Sequence, residues 1–170
     1  REGDKDNGCI VNTLQQVTVD PCVVSVTVNK SNYTHDMMMR TGKFNASMIS
    51  IDTAFDVFEK FGFVSGREVD KFAEWKEAER SENGIYYVTK GVNSYLSGEI
   101  FQTVDLGTHT MFLAKVTAME SISEETPHQR RHRSSHPALR RRTAVHTHSL
   151  KARVCLECAF TAQLQITTGH

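Results

Sequence analysis

The 170 residues carry 20 Lys+Arg against 20 Asp+Glu, a formal net charge of zero that is a cancellation of two halves. Up to Pro127 there are 12 basic and 19 acidic residues, whereas from His128 onward there are 8 basic and 1 acidic, six of the eight His and a single aromatic, Phe160. A transmembrane helix is excluded, since no apolar run reaches about 18 residues, and four irregularly spaced Cys without a leader-like segment point to a reducing cytoplasm instead of a disulfide framework.

In chain order, residues 9–18 are rich in β-formers and predict a strand, and Asp20-Pro21 breaks it. Residues 22–28 alternate, with Val24, Val26 and Val28 on one face and Val23, Ser25 and Thr27 on the other, which predicts a half-buried strand paired antiparallel to the first. The polar run Asn29 to Thr34 reads as a turn, with Thr34 capping a short helix through Met37, Met38 and Met39 that Gly42 stops. Phe44, Ala46 and Met48 mark a third strand. Asp52 is placed to cap a second helix, with Phe55, Phe58 and Phe61 along one face and Gly62 as its stop. Residues 63–72 show no period and read as a loop, and the charged stretch 73–82 reads as helix-prone. Residues 85–89, 95–104 and 109–117 predict three more strands, the last apolar on both faces and so expected to be buried on both. So many strands in so short a chain usually close into a barrel, which makes the fold mainly β with a few short helices. Residues 127–170 form a basic, His/Arg-rich tail whose composition supports no core of its own, either disordered or a non-native continuation.

Four groups of residues carry candidate chemistry. Thr13, Gln15, Gln16 and Thr18 form one polar run, and Asn29, Lys30, Ser31, Asn32, Tyr33 and Thr34 form another. An antiparallel pairing brings both to one end of a sheet, where hydroxyls, amides, a Lys and a helix start are groups that hold phosphate; the alternative is an ordinary polar strand end. His109, opening a strand after Gly107, could face a cleft as a donor or serve only as a structural His. Cys155 and Cys158 supply one C-x-x-C, with His146 and His148 before it in no ordinary zinc spacing, so no metal site is assigned. The Arg/His tract 128–153 could meet nucleic acid through phosphate charge, but it lacks aromatics for base stacking, and a solvated tail is the preferred reading.

Residues 8–119 resemble the flavin reductase-like family, the FMN-binding split barrels. The resemblance rests on Gly8 to Thr18 followed by Asp20-Pro21, on Val24 to Asp36, on Thr41 to Ser47, and on Asp105 to Phe112, taken in that order. It implies residues 1–126 as the split-barrel domain, a homodimer, and FMN at the subunit interface. It further implies that Asn12, Thr13, Leu14 and Gln15 run along the isoalloxazine ring. Gln16, Thr18, Asn29, Lys30, Asn32, Tyr33 and Thr34 would surround the ribityl phosphate, and His109 would face the flavin or the nicotinamide. The implied reaction is hydride transfer from NAD(P)H to flavin, with free flavin, a rubredoxin or a diiron flavoprotein taking the electrons. An FMN-carrying electron-transfer module is the alternative. The resemblance extends to members that carry a C-terminal rubredoxin, of which Cys155 and Cys158 match only a first Cys pair, and that usually have a further strand before the Gly8 region, which does not appear ahead of Gly8 here.

Overall fold

In the computed structural model, residues 3–122 and 165–169 are described. The polar stretch 9–18 does not stay in one strand. It divides into β1 (Asn7–Val11) and β2 (Gln15–Thr18), with Asn12 to Leu14 turning the chain between them. The alternating segment forms β3 (Val23–Asn29), with Val24, Val26 and Val28 at 2 % exposure or less, as the period of two requires. Helix α1 (Tyr33–Thr41) follows. Its N-cap is Asn32 and not Thr34, and Gly42 ends it at φ 69° with its N–H donating to the Met38 carbonyl. Met37 and Met38 are fully buried beneath it, so the Met run is packing.

Strand β4 (Lys43–Ile49) comes next. The second helix is shorter than the Phe spacing suggests. α2 (Phe55–Phe58) opens after Ala54, with no side-chain cap, and widens into a π-helical turn (Glu59–Phe63) that contains Gly62. Only Phe61 of the three Phe is fully buried; Phe55 is 62 % exposed. The charged stretch 73–82 is not helical. It forms turns and β5 (Ala78–Arg80), paired with β6 (Tyr86–Val88). Tertiary ties override the helix propensity there. Lys71 Nζ donates to the carbonyls of Gly8 and Phe61 at 2.8 and 3.0 Å, Trp75 packs edge-on against Phe61, and Arg80 pairs with Asp6 at 2.9 Å.

β7 (Val92–Asp105) and β8 (His109–Ser121) form a long hairpin. Phe112 and Ala114 of β8 are fully buried, while Met111 and Leu113 are half-buried, so the strand is covered fully on one face only. β9 (Gln165–Gly169) lies in the C-terminal stretch 127–170, the rest of which lies outside the described residues. β9 pairs antiparallel with β1 on one side and β4 on the other, so the place beside β1 is taken by a strand from late in the sequence. Backbone pairing compensates for its weak sequence signal.

The seven-stranded sheet runs β1-β9-β4-β7-β8-β3-β2. Its two end strands, β1 and β2, are consecutive in sequence and joined by residues 12–14, so the sheet must curl until its ends meet. That is the barrel expected from the strand count. Its interior holds Val24, Val26, Val28, Phe44, Phe112 and Ala114. A smaller layer of α2, the π turn and β5–β6 covers the other face of β4, where Asn45 donates to the Ile85 carbonyl at 2.9 Å and Ser47 accepts from Val88 N–H at 3.0 Å.

Gly98 of β7 passes Phe44 so closely that a Cβ would sit 2.8 Å from its ring and 3.3 Å from Ala114 Cβ. Gly98→Val is expected to cost about 1–3 kcal/mol by overpacking. The check is a lower urea midpoint at unchanged slope.

Candidate functional site

The β3–β8 pairing aligns Val28 with Thr110 and Asn29 with His109. His109 and the run 29–34 therefore meet at one end of the barrel. The chain leaves β3 at Asn29, whose Oδ1 accepts from Ser31 N–H and Ser31 Oγ at 2.9 Å each, an Asx-type turn that bends the backbone into α1. Lys30 ties this bend to the β7–β8 turn twice. Its N–H donates to the Thr108 carbonyl at 3.0 Å, and its Nζ lies 2.6 Å from Asp105 Oδ1. The turn itself needs Gly107, at φ 78°, whose N–H donates to the same Asp105 oxygen at 2.8 Å. The Lys30 hydrogen bond, and then the Gly107 N–H, hold the Asp105 carboxyl below its ordinary pKa. Thr108 Oγ1 is 2.9 Å from His109 Nδ1, which leaves Nε2 as the ring atom to meet a ligand.

The first polar run is split by the fold. Thr13 Oγ1 donates to the Thr27 carbonyl at 2.7 Å and accepts from Thr27 N–H at 3.1 Å, so this hydroxyl acts as a rung holding the β1–β2 link beside β3. Asn12 and Gln15 stay exposed and Leu14 half-buried, with Gln15 paired to Ser25, four residues along β3 from Asn29. Gln16 and Thr18 run the other way. Gln16 pairs with Val24 and Thr18 with Val23, five and six residues along β3 from Asn29, or about 17–20 Å at strand rise. Within one chain they do not join the cluster; Thr18 Oγ1 donates to the Pro21 carbonyl at 2.5 Å. Thr34 is in the cluster by position but fully buried, accepting from Asn7 Nδ2 at 2.9 Å.

The structure adds residues that the sequence did not single out. His35, 8 % exposed, places Nε2 2.9 Å from Thr110 Oγ1 and Nδ1 3.1 Å from Asp36 Oδ1, with its ring edge-on to Phe112. Asp36 Oδ2 accepts from Arg67 Nη2 at 2.6 Å. Both Arg67 and Lys5 lie over the Tyr33 ring, at 5.2 and 5.0 Å from its centroid. Arg67 comes from the loop between the π turn and β5, and the neighbouring Gly66 packs on Asn7 so tightly that a Cβ would fall 1.9 Å from its side-chain oxygen. No periodicity or motif marks that loop, so only the tertiary approach reveals it. Among the described residues no group of His, Cys, Asp and Glu is arranged to hold a metal; Cys155, Cys158 and the basic tract lie outside them.

A model of the flavin reductase like domain matches residues 1–148. The chain belongs to the flavin reductase-like domain family. A high molecular weight rubredoxin of Moorella thermoacetica is 38% identical over 127 residues, covering 75% of this chain and 55% of that protein. The chain thus spans about half of that relative's length. A ferric-chelate reductase (NAD(P)H) of Archaeoglobus fulgidus is 29% identical over 117 residues, covering 69% of each. The crystal structure of an FMN-binding protein from Thermus thermophilus with bound 1-cyclohex-2-enone superposes with a TM-score of 0.66 at 21% identity, over 76% of this chain and 70% of that one. That likeness supports the flavin reductase-like barrel as a fold. No helix among the described residues is long and apolar enough to cross a membrane.

Asp36 gives a pH prediction. The Arg67 hydrogen bond lowers its pKa in the folded chain, against the opposing effect of burial. The unfolded chain then binds the proton more readily. The pair's contribution is therefore complete above the ordinary carboxylate pKa of about 4 and fades as pH falls through the lower folded value. Asp36→Asn is expected to flatten this part of the acid limb when urea midpoints are compared between pH 5 and pH 2.

Proposed function

We propose that the chain is an FMN-binding, flavin reductase-type oxidoreductase that moves a hydride from NAD(P)H to flavin. The observation that carries this reading is the pairing of Asn29 with His109 at the start of α1, beside Lys30, within a flavin reductase-like barrel. The donor set there fits a flavin with a phosphate tail. Lys30 offers an ammonium, Asn29, Asn32 and Ser31 offer amides and a hydroxyl, and the first turn of α1 offers backbone N–H groups. The strand link at Asn12, Thr13, Leu14 and Gln15, exposed except for half-buried Leu14, offers an open edge on which an aromatic ring system could lie. The names of the relatives support the same assignment, one as an NAD(P)H-dependent ferric-chelate reductase and one structure as an FMN-binding protein.

Bound flavin supplies the two-electron chemistry, and the protein supplies position and electrostatics. Lys30 and the α1 start would bind the phosphate. His109, with Nδ1 engaged by Thr108, would orient the ring or donate a hydrogen bond through Nε2, and it abstracts no proton. Gln16 and Thr18, distant within one chain, fit the reading where a second copy brings its own strand end to the same flavin. A homodimer is further supported by the apolar groups left uncovered on β2 and the outer half of β7, among them Val17 at 53 %, Phe101 at 52 % and Val104 at 38 % exposure. A cytoplasmic setting suits the reduced Cys9 and Cys22.

Electron delivery to a rubredoxin-type protein is the second reading, and the name of the Moorella relative favours it. Steady-state NAD(P)H oxidation separates the two: turnover with free FMN marks the reductase, whereas turnover only with an added protein acceptor marks the electron-transfer module.

Two outcomes test the assignment. FMN fluorescence is expected to be quenched on titration with the full chain, and Lys30→Met to weaken FMN binding about tenfold by loss of a charge-assisted contact. An absence of any quenching counts against the reading. His109→Ala is expected to lower kcat for NAD(P)H oxidation while leaving the FMN dissociation constant within about twofold, as measured by stopped-flow reduction of the bound flavin.

A further inference from the structure

A second apolar surface lies apart from β2 and the outer half of β7. Phe55 and Phe63 are 62 % and 74 % exposed, and Ile51 is 98 % exposed. The Phe55 ring centroid stands 6.2 Å from that of Phe58 and 6.1 Å from that of Phe63, so the three rings make one aromatic face on α2 and the π turn. Phe58 packs on the outer layer of Ile49, Val57 and Phe61, and the face continues that layer outward. A contiguous aromatic surface of this kind marks a place that something covers.

Both ends of the stretch 123–164 meet this layer. At one end the Ile122 side chain packs against the same cluster, and its N–H donates to the Asn93 carbonyl at 2.7 Å. At the other end Gln165 opens β9 opposite Met48. Continuing that antiparallel register sets Leu164 opposite Ile49 and Ala162 opposite Ile51. Opposite residues of a pair share a face, so this places Leu164 and Ala162 on the face of Ile49, the outer layer. The sequence keeps the same phase. Val154, Leu156, Cys158, Phe160, Ala162 and Leu164 are all apolar, and the residues between them include Glu157, Thr161 and Gln163. Such alternation belongs to an extended segment with one buried face. Fully extended, residues 154–164 reach about 36 Å at strand rise, against roughly 14 Å for the helical residues 55–63.

Charge favours this occupant over a second copy. Residues 52–82, around the aromatic face, carry nine acidic and five basic groups. Residues 128–153, which lead into the segment, carry eight basic groups and no acidic one. Two copies apposed here would bring like charge together, whereas the chain's own continuation brings the opposite charge.

We propose that residues 154–164 dock as an extended apolar strip on Ile51, Phe55 and Phe63, prolonging β9 along the outer layer. The partner of this face is then the chain itself.

Hydroxyl-radical footprinting of the full chain, read residue by residue by mass spectrometry, tests the docking. Phe55 and Phe63 are expected to label as weakly as the buried Phe61. Leu156→Asp combined with Phe160→Asp is expected to raise labelling of Phe55 and Phe63 severalfold while Phe61 stays protected, which reports that the domain remains folded. Phe160→Ser alone, a milder change, is expected to move the same two labels in the same direction. Thr161→Asp, on the opposite face of the segment, is expected to move neither. Strong labelling of Phe55 and Phe63 in the parent overturns the proposal, as does protection that survives both Phe160 variants. Protection that grows with protein concentration would make a second copy the occupant and overturn it equally.

Discussion

The register of β3 on β8 is the constraint on which the site depends. Seven consecutive pairs, from Val23 with Lys115 to Asn29 with His109, hold the two strands. Because side chains alternate faces, a slip of one residue would turn Val24, Val26 and Val28 out of the core. The same slip would part Asn29 from His109 and break the Lys30 N–H bond to Thr108. The apolar residues that gain nothing from chemistry are thus what fixes the polar ones. Phe112 and Ala114, fully buried opposite the valines, enforce the register from the other strand.

The site is also an electrostatic exception within its own domain. Residues up to Pro127 carry seven more acidic than basic groups. An anionic cofactor or dinucleotide would be repelled by that excess at long range. Salt screens such a field beyond roughly 8–10 Å, so the nearest charges decide. At the start of α1 those are Lys30, Arg67 and Lys5, with Asp105 and Asp36 as their counter-ions. Asp105 and Asp36 offset Lys30 and Arg67 pairwise.

The parts legible in the sequence were those set by local rules. Alternation placed β3, β4 and β8, and Gly42 marked the end of α1. Antiparallel pairing was expected to bring the run at Thr13 to Thr18 and the run at Asn29 to Thr34 to one end, and it leaves Gln16 and Thr18 at the other. The illegible parts were set by distant contacts. The stretch 73–82 has helix-forming composition, yet Trp75 and Arg80 within it and Lys71 just before it are each claimed by partners elsewhere in the fold. Asp52 looked like a cap, but the helix begins later, at Phe55. β9 has only five residues, and its pairing partners precede it by more than a hundred positions, so no window of sequence contains the signal. Thr13 and Thr34 were read as open hydroxyls. Both are spent on the protein itself, which a residue's type cannot disclose.

Gly66 sets a limit on how this chain can diverge. Its backbone needs no glycine for conformational reasons, since φ there is not positive, and the requirement is one of room alone. The Asn7 side chain that fills the space is 2 % exposed and bonded to Thr34 in the first turn of α1, so it has nowhere to retreat. Ser65 and Glu68 lie exposed on the loop where drift is cheap, while Gly66 between them is held to hydrogen as its side chain. Among descendants of this chain, the loop should therefore vary in sequence around a single invariant point, and that point, though it touches no ligand, governs how close the loop comes to α1.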